Sequence, residues 1–278
     1  HTDGSCWPAG FTVRNQWLRF AACVVFSWSC VCAPAHRSRY NFTKSRREAV
    51  TWSREIAAAR TANSMTKSTV KLPDYGLVTE KPGLQTTGES VRMLATRYGF
   101  AADYADGRDV LEVGCAAGIG LGILSRRARR LIGGDLTLDF LRTAKRHYQN
   151  KIPLVQLDGH RLPFHSGTFD LVVFYEAIYY LDHAHLFVEQ ARRVLRPGGQ
   201  LLICSVNSEW PGFNPSPMST RYWTATELLH LLTDAGFQAQ ISGGFRDDRQ
   251  SVGAFCFRIF RRLAVLLRLI PKTMAGKV

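Results

Sequence analysis

Apolar residues change their spacing repeatedly along this chain, and each change marks an element. From Glu89 to Tyr98, Val91, Leu94, Ala95 and Tyr98 recur at helical intervals, which predicts an amphipathic helix. Asp109–Val113 is a short apolar run and predicts a strand. Ile119–Ala128 predicts a helix whose end carries Arg126, Arg127, Arg129 and Arg130, cations suited to the negative end of a helix dipole. Arg130–Gly134 predicts a second strand, Leu138–Tyr148 a helix with Leu138, Leu141 and Tyr148 on one side, and Pro153–Leu157 a short strand before Asp158. Phe169–Tyr175 is apolar on both faces after Asp170, the mark of a central parallel strand. His185–Leu195 predicts a helix with Phe187, Ala191 and Val194 inward and a Glu189–Arg193 pair outward. Arg196-Pro197-Gly198-Gly199 stops it and turns the chain into Gln200–Val206, a buried strand. Thr224-Ala225-Thr226-Glu227 is a capping box opening a helix that ends at Gly236, and Phe237–Ser242 predicts a further strand. Strands and helices alternating at these lengths predict a three-layer α/β fold with a mostly parallel sheet.

The two ends do not follow this pattern. Phe20 to Ala35 is apolar, follows Arg14 and Arg19, and ends in Ala33-Pro34-Ala35, which imitates a signal peptide but is short for a membrane span. Residues 36–64 lack an apolar period, so residues 1–64 are read as a basic, Cys-containing extension, disordered or non-native, with Met65 a candidate start. At the other end, Phe257, Phe260, Leu263, Leu266 and Leu267 alternate with Arg258, Arg261, Arg262 and Arg268. That pattern is a basic amphipathic helix over 255–270, suited either to docking on the domain or to lying on a membrane surface.

Charge sharpens this division. The net charge is +14, but residues 1–64 hold nine Lys/Arg against three Asp/Glu, and residues 246–278 eight against two. Residues 65–245 hold nineteen against seventeen and are nearly neutral, so bulk charge does not support a nucleic-acid partner. Of seven cysteines, four lie in the first 32 residues; none forms a C-x-x-C pair with matching partners, so no zinc site is expected. Cys115 and Cys204 sit in apolar strand contexts as buried thiols, as in a reducing cytosol, and a cytoplasmic location is expected.

The candidate chemistry lies in Asp109-Val110-Leu111-Glu112-Val113-Gly114-Cys115-Ala116-Ala117-Gly118-Ile119-Gly120. A buried strand ends in an acid, turns on glycines and enters a helix, and Asp135 waits at the end of the next strand. A dinucleotide site would show G-x-G-x-x-G with a pyrophosphate on the helix N-terminus. Here Glu112 would repel a pyrophosphate and attract an ammonium group, while Asp135 stands near the distance at which an acid binds ribose hydroxyls. The ligand implied has a cationic amino-acid end and a ribose.

With these residues in order, the stretch from about Tyr75 to Phe245 resembles a class I S-adenosylmethionine-dependent methyltransferase of the small-molecule type. The resemblance is carried by Val110 through Gly120, Gly134-Asp135, Leu157-Asp158-Gly159-His160-Arg161-Leu162-Pro163-Phe164, Phe169-Asp170-Leu171-Val172, and Ala191 through Gly199. It implies a Rossmann-like methyltransferase fold with a mostly parallel seven-stranded sheet, its last strand antiparallel, in a domain drawn over 65–245. It implies S-adenosylmethionine as cofactor, with Glu112, Gly114, Cys115, Ala116 and Gly118 at the methionine end. Asp135 takes the ribose with Leu136 beside the adenine, and Asp158 and Gly159 face the adenine amino group. Ala116 departs from the family, which most often has glycine there. Its methyl group fits if the local backbone angles are ordinary.

On the acceptor side, Tyr175-Glu176-Ala177-Ile178-Tyr179-Tyr180 leaves a central strand at its carboxyl end. Glu176 is the candidate base or acceptor-orienting group, and Tyr179, with Tyr180, is the candidate to face the sulfonium by cation–π attraction; a structural carboxylate and simple packing are the plainer readings. His183 and His185 have no third partner in view, so a metal is not expected. In the long loop 207–222, Trp210, Phe213, Asn214, Arg221 and Tyr222 are candidate substrate-pocket residues, and Lys71–Gln85 is placed to close the other side. The function expected is methyl transfer to a small-molecule or lipid- or sugar-linked acceptor, with no nucleic-acid partner. The alternatives are a non-catalytic S-adenosylmethionine-binding module and a nucleotide-binding oxidoreductase.

Overall fold

The structure, a computed structural model of the 278-residue chain, describes residues 88–209 and 213–243 continuously. It also describes residues 56, 57, 75, 79, 260, 263, 264 and 267, and the backbone of 22–27. In chain order the strands are β1 (Ala22–Ser27), β2 (Asp109–Val113), β3 (Arg130–Asp135), β4 (Leu154–Gln156), β5 (Phe169–Tyr175), β6 (Leu195–Ser205) and β7 (Gln238–Gly243). The helices are α1 (Gly88–Ala105), α2 (Leu121–Leu124), α3 (Leu138–Tyr148), α4 (Ala184–Val194) and α5 (Ala225–Asp234).

The apolar content of β5 on both faces dictates the layering. Val172 and Phe174 point into a core shared with Phe187, Val188, Ala191, Leu228 and Leu232 from α4 and α5. Leu171, Val173 and Tyr175 point into a second core with Ala101, Ala105, Leu121, Leu124 and Leu141 from α1, α2 and α3. Successive strand residues feed opposite faces, so a strand apolar throughout needs helices on both sides. The sheet order is β4-β3-β2-β5-β6-β1-β7, and β4, β3, β2, β5 and β6 run parallel. The fold is a three-layer, Rossmann-like α/β arrangement.

Several elements differ from expectation. The helix expected over 119–128 is helical only at Leu121–Leu124. Gly120 and Gly122 each cost about 1 kcal/mol relative to alanine in a helix interior, so little helix survives. Arg129 and Arg130 do not cap it but turn to Asp109 at the start of β2. In α1 the expected inward face is displaced: Val91 is 53% exposed, while Ala101, Ala102 and Ala105 are buried. Arg193 turns from Glu189 to the carbonyls of Phe164 (2.6 Å) and Leu162 (2.7 Å), to which it donates. The Arg196–Gly199 stretch lies within β6, across a register shift between Phe169 and Leu171.

The largest difference lies inside the stretch read as a disordered or non-native extension. The backbone of β1 pairs antiparallel with both β6 and β7, and Ile56 packs against the core. The antiparallel strand is therefore the first in chain order, not the last. A six-residue apolar run carries no local mark of its distant partner, so its period alone reads equally as strand, leader or anchor. Residues 255–270 lie outside the described residues except Phe260, Leu263, Ala264 and Leu267; Leu263 accepts a helical hydrogen bond from the Leu267 amide at 2.8 Å. Among the described residues, no helix is long and apolar enough to cross a membrane.

Candidate active site

Strand order reverses between β2 and β5, and the crevice at their carboxyl ends is where open α/β sheets hold ligands. β2 delivers Glu112 and the turn 114–120 to this crevice, β3 delivers Asp135, and β5 delivers Tyr175 and Glu176. The turn is built by glycines in conformations that side chains avoid: Gly114 has φ 70° and Gly118 φ 82°. At Gly114 an added Cβ would lie 3.1 Å from Ala177 Cβ, so the turn and the post-β5 segment approach at van der Waals range. Ala116 also lies in the left-handed region, with φ 48°. The condition of ordinary backbone angles is not met: this alanine holds a position that favours glycine, fixed by its amide donating to Asp135 Oδ2 at 2.8 Å.

Glu112 is buried and has two unlike oxygens. Oε1 accepts from the Tyr98 hydroxyl at 2.6 Å, while Oε2 is buried with no hydrogen-bond partner. Burial pushes its carboxyl up to about 7; the Tyr98 hydrogen bond opposes that shift and the Asp135 charge adds to it. An orphaned carboxylate oxygen beside a glycine turn is a place for a cationic donor and repels a pyrophosphate. Cys115 is buried, and its thiol is raised by burial and by the charges of Asp135 and Glu112, which leaves it an inert packing group.

Asp135 accepts from the amides of Ala116 and Thr137, both at 2.8 Å. Its carboxyl is raised by burial, against these hydrogen bonds. Leu136 is half-buried, and its carbonyl is held by the Gln156 side chain at 2.9 Å. Asp158 is exposed and turned toward His160, accepting from its amide at 2.9 Å and meeting its Nδ1 at 2.7 Å. Gly159 follows, with Leu181 and Phe187 at ordinary contact distance from where a Cβ would stand. Asp135, Leu136, Asp158 and Gly159 thus lie at the carboxyl ends of adjacent strands β3 and β4.

On the acceptor side, Glu176 also has positive φ, 53°. Its Oε1 forms an ion pair with Arg97 at 2.7 Å, and its Oε2 accepts from Tyr179 at 3.1 Å. Both oxygens are engaged, so the arrangement suits orientation better than proton abstraction. Tyr179 is buried and stacks on Tyr222 (4.9 Å between centroids), which meets Phe213 edge-on (4.5 Å). Tyr222 also accepts the Ser216 amide at 2.8 Å. Arg221 is not gathered into this cluster: it is exposed, lies over Trp223 at 4.2 Å and pairs with Glu227 at 2.7 Å. Asn214 lies within the same half-buried loop, and Trp210 lies outside the described residues. Among the described residues no group of three His, Cys, Asp or Glu is placed to hold a metal ion.

Sequence reading missed four residues that hold this site. Tyr98 and Arg97, neighbours on α1, each bind one of the two carboxylates. Tyr148 of α3 donates to the Gly118 carbonyl at 2.6 Å and accepts the Gly122 amide at 2.9 Å. Tyr75, inside the Lys71–Gln85 stretch, contacts Tyr180 at 4.9 Å. Its phenol is raised by burial and by the charges of Asp182, Asp158 and Asp135. Helical spacing marked Tyr98 and Tyr148 only as inward-facing; nothing local says what a hydroxyl at such a position touches.

Comparison with known proteins adds to this geometry. Residues 111–203 match the methyltransferase domain family. A probable S-adenosylmethionine-dependent methyltransferase of Mycolicibacterium smegmatis is 35% identical over 166 residues, covering 57% of this chain and 63% of its own length. A fatty-acid O-methyltransferase of the same organism is 32% identical, covering 56% and 63%. The chain therefore spans less than two thirds of these relatives, and 48% of a Mycobacterium tuberculosis relative also named as a probable S-adenosylmethionine-dependent methyltransferase. The solved structure of a SAM-dependent methyltransferase from Aquifex aeolicus aligns at 18% identity and a TM-score of 0.47, over 54% of this chain and 83% of that one.

Proposed function

We propose that this chain, whose residues 111–203 match the methyltransferase domain family, is a class I methyltransferase that binds S-adenosylmethionine and transfers its methyl group to a small-molecule or lipid- or sugar-linked acceptor. The observation that carries this reading is the bare Oε2 of Glu112 beside the Gly114–Gly118 turn, a buried acceptor awaiting a cation. The residues fit the cofactor. Glu112 would hold the α-ammonium group, Asp135 the ribose hydroxyls, Leu136 the adenine face, and Asp158 with Gly159 the adenine edge. When bound, the cofactor supplies a methyl group already activated on a sulfonium, so the protein's work is positioning and exclusion of water.

In this reading Glu176 and Tyr179 orient the acceptor, with Phe213, Asn214 and Tyr222 along its path and Arg221 outside it. The O-methyltransferase name of one relative favours oxygen as the receiving atom. The domain drawn over 65–245 belongs to the same proposal, with β1 and Ile56 from the preceding stretch added to it. So does a cytoplasmic location, favoured by the buried thiol of Cys115. A peripheral contact with an anionic membrane through 255–270 is favoured by the exposure of Phe260, Leu263 and Leu267 and by the arginines between them.

The test is calorimetric titration of the full chain with S-adenosylmethionine, beside Asp135→Ala. Micromolar binding is expected, weakened on the order of a hundred-fold by loss of charge-assisted ribose hydrogen bonds in the variant. Absence of binding to folded protein overturns the reading. Binding without methyl transfer across a panel of fatty acids, phenols and glycosides selects the non-catalytic module, and tight binding of a nicotinamide dinucleotide instead selects the oxidoreductase.

A further inference from the structure

Tyr98 stands where three parts of the site meet. Its hydroxyl donates to Glu112 Oε1 at 2.6 Å. Its ring lies directly over Gly120, where an added Cβ would fall 1.8 Å from Tyr98 Cε1, and it meets Tyr175 edge-on at 5.5 Å. The hydrogen bond fixes which carboxylate oxygen is satisfied and which, Oε2, is left bare. The neighbouring Arg97 is committed to Glu176 at 2.7 Å.

We propose that Tyr98 is a positioning residue for the cofactor's amino-acid end: by occupying Oε1 it aims Glu112 so that Oε2 receives the α-ammonium group. This rests on the cofactor reading above. Electrostatics supports the geometry. The groups facing Glu112 are Tyr98 from α1, Asp135 from the end of β3, Cys115 from the turn and Tyr148 from α3. Of these, Asp135 disfavours the Glu112 charge, whereas the Tyr98 hydrogen bond favours it against the penalty of burial. With the native carboxyl pushed up to about 7, near-neutral pH titrates it, and only the ionised form pairs with an ammonium. Affinity for a ligand carrying the amino-acid end therefore falls as pH drops through 7. Removing the Tyr98 hydroxyl takes away the stabilising hydrogen bond and moves that midpoint upward.

The experiment compares two ligands across pH 5.5–8.5 by calorimetry on the full chain. S-adenosylhomocysteine carries the α-ammonium group, and 5′-methylthioadenosine has the same nucleoside without it. In Tyr98→Phe, S-adenosylhomocysteine should bind about ten-fold more weakly at pH 7, the scale of one hydrogen bond to a charged group, with its pH midpoint displaced upward. Binding of 5′-methylthioadenosine should change less than about two-fold, by the additivity of independent contacts. Glu112→Gln, which keeps the shape, should bind S-adenosylhomocysteine weakly with a flat pH profile. Equal weakening of both ligands means Tyr98 only supports the fold and overturns the proposal, as does an unmoved midpoint. Failure of the unaltered protein to bind either ligand overturns the cofactor reading itself, and the proposal with it.

Discussion

Ala116 carries the sharpest local conflict between residue type and backbone, with φ 48° in a turn whose other left-handed positions are glycines. A non-glycine residue there costs about 1–2 kcal/mol in the folded state. Replacing it by glycine relieves that strain but adds about 0.4–1 kcal/mol of unfolded-chain entropy, so the net gain is small. Ala116→Gly should therefore leave urea-unfolding stability unchanged or raise it by up to about 1.6 kcal/mol, by the difference of these terms. A loss of more than that amount would mean that the methyl group packs usefully. From the sequence, Glu112 and Asp135 were legible because acids at strand ends beside glycines have few other uses. The strain at Ala116 and Glu176 was not, because φ belongs to the closed turn and not to the residue type.

Whole elements show the same division between what periodicity carries and what contact decides. β2, β5 and α4 follow their apolar patterns closely, whereas α3 buries Phe140, Leu141 and Ala144 and leaves the expected inward Leu138 exposed; the Thr224–Glu227 capping box is formed with both of its reciprocal bonds. The short α2 was overestimated because apolar spacing ignored Gly120 and Gly122. What replaces the missing helix is Tyr148, whose hydroxyl closes the turn onto α3 through Gly118 and Gly122. Tyr148→Phe should cost about 2 kcal/mol, two net hydrogen bonds at roughly 1 kcal/mol each. It should also speed hydrogen exchange at the Gly122 amide, which loses its acceptor. If that amide exchanges as slowly as before, the turn is held by its glycines alone. Tyr148 could be read from the sequence as a buried aromatic; its role as a brace required knowing that the end of α3 returns to the start of α2.

At the scale of the whole molecule, the parallel order around β2 and β5 follows from alternation and right-handed crossovers, which leave few ways to arrange such strands. β1 could not be placed this way, since it reaches the sheet from far away in the chain. Charge also has a long-range organisation that composition concealed. At the end of β2 opposite the candidate site, the carboxylate of Asp109 is 0% exposed and pairs with Arg129 (2.7 Å), Arg130 and Arg196 (3.1 Å), joining the starts of β2 and β3 to that of β6. Asp170 of β5 pairs with Arg196 at 2.7 Å and completes the cluster. Burial alone would raise the Asp109 carboxyl, but hydrogen bonds and charges from Arg130 and Arg129 prevail and lower it. A depressed carboxyl stabilises the fold above the unfolded-state value, near 3.9, and that contribution is lost as pH falls through the lower native value. Asp109→Asn should cost about 3 kcal/mol at pH 7, the low end for breaking a buried pair, because Arg129 and Arg196 remain 34% exposed and stay partly solvated. Urea unfolding at stepped pH should show the full difference above about pH 5 and convergence of the two proteins below the ordinary carboxylate range. A pH-independent difference would mean that Asp109 acts through shape and hydrogen bonding, with its charge contributing nothing to the join between the strands.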